Sequence, residues 1–71
     1  MAVTHEIAAF DVVELTEAVD DAPAGARGGV LELRGGDKAM VEITEPALDA
    51  AARIVFAPIA KLRVVDPAPR G

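Results

Sequence analysis

The sequence predicts an all-β domain of about five short strands, curled into a small, partly open barrel. Three observations carry that expectation. Five of the six glycines fall within PAGARGGVLELRGGDKAMVEI, residues 23–43, which also holds two strand-like segments. Further short runs of Val, Ile, Leu and Phe flank this stretch, each bounded by Pro, Gly or acidic residues, as strands are. The chain is 52% hydrophobic but only 3% aromatic, so a core must be built mostly from Val, Leu, Ile and Ala. That content is too apolar for a disordered chain.

Residues 1–9 read as a lead-in. Residues 10–16, FDVVELT, read as the first strand. A competing reading joins residues 5–19 into one helix, with Ile7, Phe10, Leu15 and Val19 roughly on one face. Adjacent Val12 and Val13 and the lack of a cap argue against it. EAVDDAPAG follows as a loop. Residues 29–34, GVLELR, and 37–43, DKAMVEI, flank Gly35-Gly36 and predict a tight hairpin, because both glycines can take the positive φ such turns require. Residues 44–52, TEPALDAAA, are either a short helix capped by Thr44, with Pro46 in its first turn, or a long loop. RIVFA (residues 53–57) reads as a strand ended by Pro58, IAKL as a single 3₁₀ turn, and LRVV (62–65) as the closing strand. The tail, residues 66–71, is expected to fray. Strands in this order, with a turn before the last, suggest an SH3-like barrel, whose closure would protect strand edges. The whole chain, residues 1–71, is expected to be one domain, with its core between residues 7 and 65.

A two-residue Gly35-Gly36 loop sets a register in which Arg34 faces Asp37, Leu33 Lys38, Glu32 Ala39, Leu31 Met40 and Val30 Val41. Opposed residues share a face. Val30, Ala39, Val41 and Ile43 then form the core side, with Gly28 opposite Ile43, where the missing side chain lets another strand approach closely. Leu31, Leu33 and Met40 fall on the other side, beside Lys38 and Glu42. Either the strand bends and returns the leucines to the core, or they form a surface for a partner protein or for self-association.

A 71-residue chain has a core expected to supply roughly 3–5 kcal/mol, so such domains usually need a staple. There is no Cys for a disulfide, and the single His, His5, rules out a Cys₂His₂ zinc site. Tight turns or oligomerisation remain. The net charge of −5 suits a basic partner and disfavours phosphate backbones and anionic lipid. No signal-peptide pattern or membrane-span-length apolar run is evident, and Cys is absent, so a cytoplasmic location is expected.

Chemistry-bearing motifs are sparse. GARGG tempts a phosphate-loop reading, but it lacks the Lys-Ser/Thr ending, and its glycines do not fit G-x-G-x-x-G. Gly25, Gly28 and Gly29 read better as structural glycines, as do Gly35 and Gly36. Asp20 and Asp21 could join Asp37 or Asp49 around a hard cation, yet the calcium-loop spacing is missing. His5 beside Glu6 is the one acid–base pair to consider, in the lead-in. Ser is absent, and Thr4, Thr16 and Thr44 have no second His to activate them. No enzyme, cofactor or metal is expected.

The ordered segments FDVVEL (Phe10 to Leu15), GARGGVLEL (Gly25 to Leu33), AMVEI (Ala39 to Ile43) and RIVFAPIAKLRVV (Arg53 to Val65) resemble the bacterial family known as domain of unknown function 4926. Its members carry an LDVVxL strand, a GxxGTVVEV segment, a YEVEF strand and a late strand followed by LR. Here Gly29 stands where Thr is usual, and the third element lacks its aromatics. The likeness spans roughly residues 7–65. It implies an SH3-like barrel, supplies no catalytic residue, and makes an accessory, immunity or antitoxin-like role conceivable. There is a weaker similarity to KOW-type nucleic-acid-binding barrels, for which Arg27, Arg34, Lys38, Arg53, Lys61 and Arg63 would have to cluster. The acidic total and the lack of stacking aromatics weigh against nucleic acid. The expected function is a non-enzymatic protein-interaction module, homo-oligomeric or bound to a partner protein.

Overall fold

The computed structural model describes residues 7–68. Five strands follow in chain order: β1 (Val12–Leu15), β2 (Arg27–Arg34), β3 (Lys38–Glu45), β4 (Ile54–Pro58) and β5 (Leu62–Asp66). A one-turn helix, α1 (Ala50–Arg53), precedes β4, and a 3₁₀ turn (Ile59–Lys61) precedes β5. All pairings are antiparallel, in the order β4-β3-β2-β1-β5. The domain is mostly β, as expected.

The barrel expectation is corrected. The sheet is not closed, because β4 pairs with β3 alone and β5 with β1 alone. The junction between the two edge strands explains this. Pro58 has no N–H to offer, and the N–H of Leu62 turns back to the carbonyl of Ile59. Neither strand presents a complete row of backbone groups where closure would begin.

The hairpin register also differs from the expectation near its tip. Arg34 pairs with Lys38, Leu33 with Ala39 and Glu32 with Met40, so Asp37 joins Gly35 and Gly36 in a three-residue loop. The register returns to the expected one at Val30–Val41, and Leu31 is the extra residue of a β-bulge between them. Gly35 and Gly36 take φ of 65° and 82°. The expected core side holds: Val30, Ala39, Val41 and Ile43 are buried, and Gly28 pairs with Ile43. A Cβ on Gly28 would lie 2.1 Å from the Glu42 carbonyl oxygen, so the close approach there is by the β3 backbone.

Other boundaries shift for local reasons. Residues 12–15 are a strand, which excludes the long N-terminal helix. Phe10 lies outside β1, in a turn closed by the Asp11 N–H on the Ala8 carbonyl, with φ of 74°. Gly25, φ 89°, sits in a turn closed by the Ala26 N–H on the Pro23 carbonyl. Thr44 does not cap α1. It lies in β3, and its hydroxyl donates to the Arg27 carbonyl, whereas Asp49 occupies the N-cap. The chain leaves β3 through a cis Glu45–Pro46 bond.

The core is aliphatic. Val13, Leu15, Val30, Val41, Ile43 and Val55 are its largest fully buried apolar side chains, and Ile7 and Leu62 close its margins. Within the expected tail, Asp66 belongs to β5, and the Ala68 N–H donates to Asp11 Oδ1 at 2.7 Å. Asp11, fully buried, also accepts the Ala8 N–H at 2.9 Å, so one carboxylate ties the lead-in to the chain beyond β5.

Candidate interaction surface

The side of the sheet turned away from the core divides into a charged half and an apolar half. On the charged half, Glu14 of β1 stands opposite Arg27 of β2 and Arg63 of β5. Its carboxylate receives the Arg27 guanidinium at 3.2 Å on one oxygen and the Arg63 guanidinium on the other. The hydrogen bond from Arg27 holds the Glu14 carboxyl below its ordinary value. Partial burial opposes this, and Arg63 adds to the lowering. Three strands are thereby laced by one charge-assisted row.

The apolar half spans β2, β3 and β4. Phe56 pairs with Met40, and the Leu31–Glu32 bulge stands against Met40 from the other side. Ile54 pairs with Glu42. Leu31 and Ile54 are each 39% exposed and Phe56 is 49% exposed, with Met40 half-buried between the strands. Arg34 pairs with Glu32 and lies over the Phe56 ring, its Cζ 5.5 Å from the ring centroid. Both aromatic side chains of this protein are outside the core, since Phe10 is exposed as well. A small domain gains most by burying its largest apolar groups, so rings left outside are available for contact.

The expected trio does not form one cluster. Leu31 is the unpaired residue of the bulge, next to Glu32, which pairs with Met40. Leu33 pairs with Ala39 and lies, 44% exposed, beyond the core near the hairpin tip. The bulge is the cause, because one extra residue carries every later side chain on that strand to the opposite face. The returning-leucine alternative is not what the structure has, since both leucines are exposed.

Ile54 and Phe56 were not singled out by sequence reasoning. RIVFA is apolar at nearly every position, so alternation does not say which side faces out. Pro58 is the signal that could have helped, because a proline in a strand marks an edge.

The basic residues do not form one open patch. Arg27, Arg34, Lys61 and Arg63 each meet a carboxylate, Lys61 at 3.9 Å from Glu17. Lys38 and Arg53 make no ion pair among the described residues. The GARGG segment runs from the Gly25 turn into β2. A Cβ on Gly29 would touch nothing, and its φ is not positive, so neither space nor backbone requires glycine there. Asp20 and Asp21 lie before β2, Asp37 in the hairpin loop and Asp49 ahead of α1; no three His, Asp or Glu residues gather as a cation site among the described residues. His5 and Glu6 lie outside the described residues. A cleft of about 250 Å³ lies beside Glu42, Thr44, Leu48 and Arg53, smaller than the roughly 300–1,000 Å³ of ordinary ligand pockets. No described helix is long and apolar enough to cross a membrane.

Comparison with protein-family models, curated proteins and solved structures finds no match.

Proposed function

We propose that this protein is a non-enzymatic interaction module, acting through self-association or through a partner protein. The observation that supports this reading is the apolar face of exposed Leu31, Phe56 and Ile54 with half-buried Met40, edged by Arg34 and Glu42. An exposed apolar patch bordered by charges is typical of protein contacts. The lack of Ser and Cys leaves few nucleophiles, in keeping with a binding role. We assign the sheet to the SH3-like class as an open variant, on the strand order and the 3₁₀ turn before β5. The likeness to domain of unknown function 4926 fits an accessory role.

Co-purification from the native cell, with partners identified by mass spectrometry, tests the reading alongside light scattering of the pure chain. The expected result is self-association or a retained partner protein, either one lost in a Leu31→Glu, Met40→Glu variant that stays folded. A strict monomer at high concentration, with no retained partner and no effect of the double variant, would remove the proposal.

A further inference from the structure

We infer that the free edge of β4 pairs antiparallel with the β4 edge of a second copy of this chain, about a two-fold axis at Val55. The two sheets then continue into one. This rests on the interaction-module reading and names its partner.

The hydrogen-bond ladder defines what the edge offers. The Ile59 N–H donates to the Asp37 carbonyl at 2.9 Å, in the same register as the five β3–β4 pairs that follow it. Hydrogen-bonded and non-hydrogen-bonded pairs alternate along an antiparallel ladder. Val55 and Ala57 therefore bond inward to Val41 and Ala39. The N–H and C=O of Ile54 and Phe56 point away from the sheet, as does the carbonyl of Pro58. The missing N–H of Pro58 falls on this outward side, where a proline costs the sheet nothing. Apart from α1, whose last turn ends on Ile54, no turn or loop backbone group among the described residues bonds to this edge. Helix α1 ends immediately before it and Pro58 closes it, so the open segment is short.

That segment is complementary to itself in one register. With the axis at Val55, each Ile54 stands opposite Phe56 of the second copy, and the pair exchanges both backbone bonds. Every outward N–H and C=O of the two residues is satisfied. With the axis moved to Phe56, Ile54 faces Pro58, and its carbonyl is left without a donor. The Val55 register also sets an aliphatic β-branched side chain against an aromatic one, a favourable cross-strand pair. It extends the apolar row across the axis: Met40 and Phe56 of one copy continue into Ile54 and then Glu42 of the other. Arg34, over Phe56, keeps its ion pair with Glu32 of its own chain. The strip is short, and an interface below about 1,200 Å² in total belongs to reversible complexes. Two chains of charge −5 also repel, so pairing strengthens with salt.

The chain has no native cysteine, which allows a register-specific test. Two variants, Ile54→Cys and Phe56→Cys, are oxidised mildly at high concentration, separately and mixed. Opposed Cα atoms in a hydrogen-bonded pair lie about 5.5 Å apart, within the roughly 4.4–6.8 Å a disulfide spans. The mixture is expected to give a cross-linked heterodimer, with each variant alone remaining monomeric on a non-reducing gel. Circular dichroism of each variant checks the fold, and sedimentation equilibrium of the unmodified chain is expected to show mass rising towards that of a dimer. Cross-linking of Phe56→Cys by itself would overturn the Val55 axis. Absence of cross-linking from a folded mixture, or a monomer at all concentrations, would overturn the pairing itself. In that event a partner protein retained in co-purification would leave the interaction-module reading standing, and its absence would remove both.

Discussion

The two edge strands of this sheet are handled in opposite ways. At β5 the backbone row is interrupted. The Leu62 N–H is taken by the Ile59 carbonyl, a bulge shifts the register around Val65, and Asp66 and Pro67 follow. Arg63 is held by Glu14, and the chain beyond is fastened to buried Asp11 through Ala68. These are the devices by which sheets avoid pairing with other chains. At β4 the register with β3 runs unbroken through five pairs, the outward side chains are Ile and Phe, and no charge lies on the strand. One edge is interrupted and the other runs unbroken, and the pairing we propose uses the unbroken one.

The comparison breaks most completely if the sheet that carries both edges is lost. Gly28→Ala drives a Cβ into the β3 backbone, and we expect a loss of about 3 kcal/mol, most of what a domain of this size holds. Urea unfolding measures it, and a variant of unchanged midpoint would contradict the packing described. Next comes Asp11→Ala, which strips the acceptors from the Ala8 and Ala68 amides and is expected to cost about 2 kcal/mol. Amide exchange should then quicken along β5 and stay unchanged along β4. Equal quickening at both edges would mean that the buried carboxylate does not specifically secure β5.

Phe56→Lys transfers a protective charge from the one kind of edge to the other. Its stability should stay within about 0.5 kcal/mol of the parent, while concentration-dependent association disappears. Gly29→Thr is expected to stabilise the sheet by about 0.5 kcal/mol, because its Cβ enters open space in a strand, and to leave both edges as they are. The subtlest effect is a trend with pH. Glu14 has a folded-state pKa below its ordinary value of 4.5, so its contribution is full above that value and lost as pH falls through the folded one. Melting temperatures of the parent and Glu14→Gln should therefore differ most near neutrality and converge in acid. A constant gap would show that the Arg27 and Arg63 contacts do not govern it.

Local turn chemistry was readable in the residues, and long-range pairing much less so. Gly35-Gly36 announced a hairpin because few other residues tolerate that backbone. The bulge at Leu31 has no comparable signature, since nothing in GVLELR separates an extra residue from a regular one. The core faces of Val30, Val41 and Ile43 survived because the bulge lies beyond them. Leu33 changed face because it lies on the far side. Strand periodicity likewise showed β4 and β5 as strands without showing whether their edges meet. Ile54 and Phe56 were hidden by their neighbours, because Val55 and Ala57 are equally apolar and only the register tells the two pairs apart.

The openness of β4 is tested most directly by residue-resolved amide exchange at two protein concentrations. At low concentration, Ile54 and Phe56 should exchange quickly while Val55 and Ala57 are protected. At high concentration, protection should spread to Ile54 and Phe56, with the β5 amides unchanged. Slow exchange at Ile54 and Phe56 in dilute solution, or fast exchange there at every concentration, would contradict an open edge that accepts a second copy.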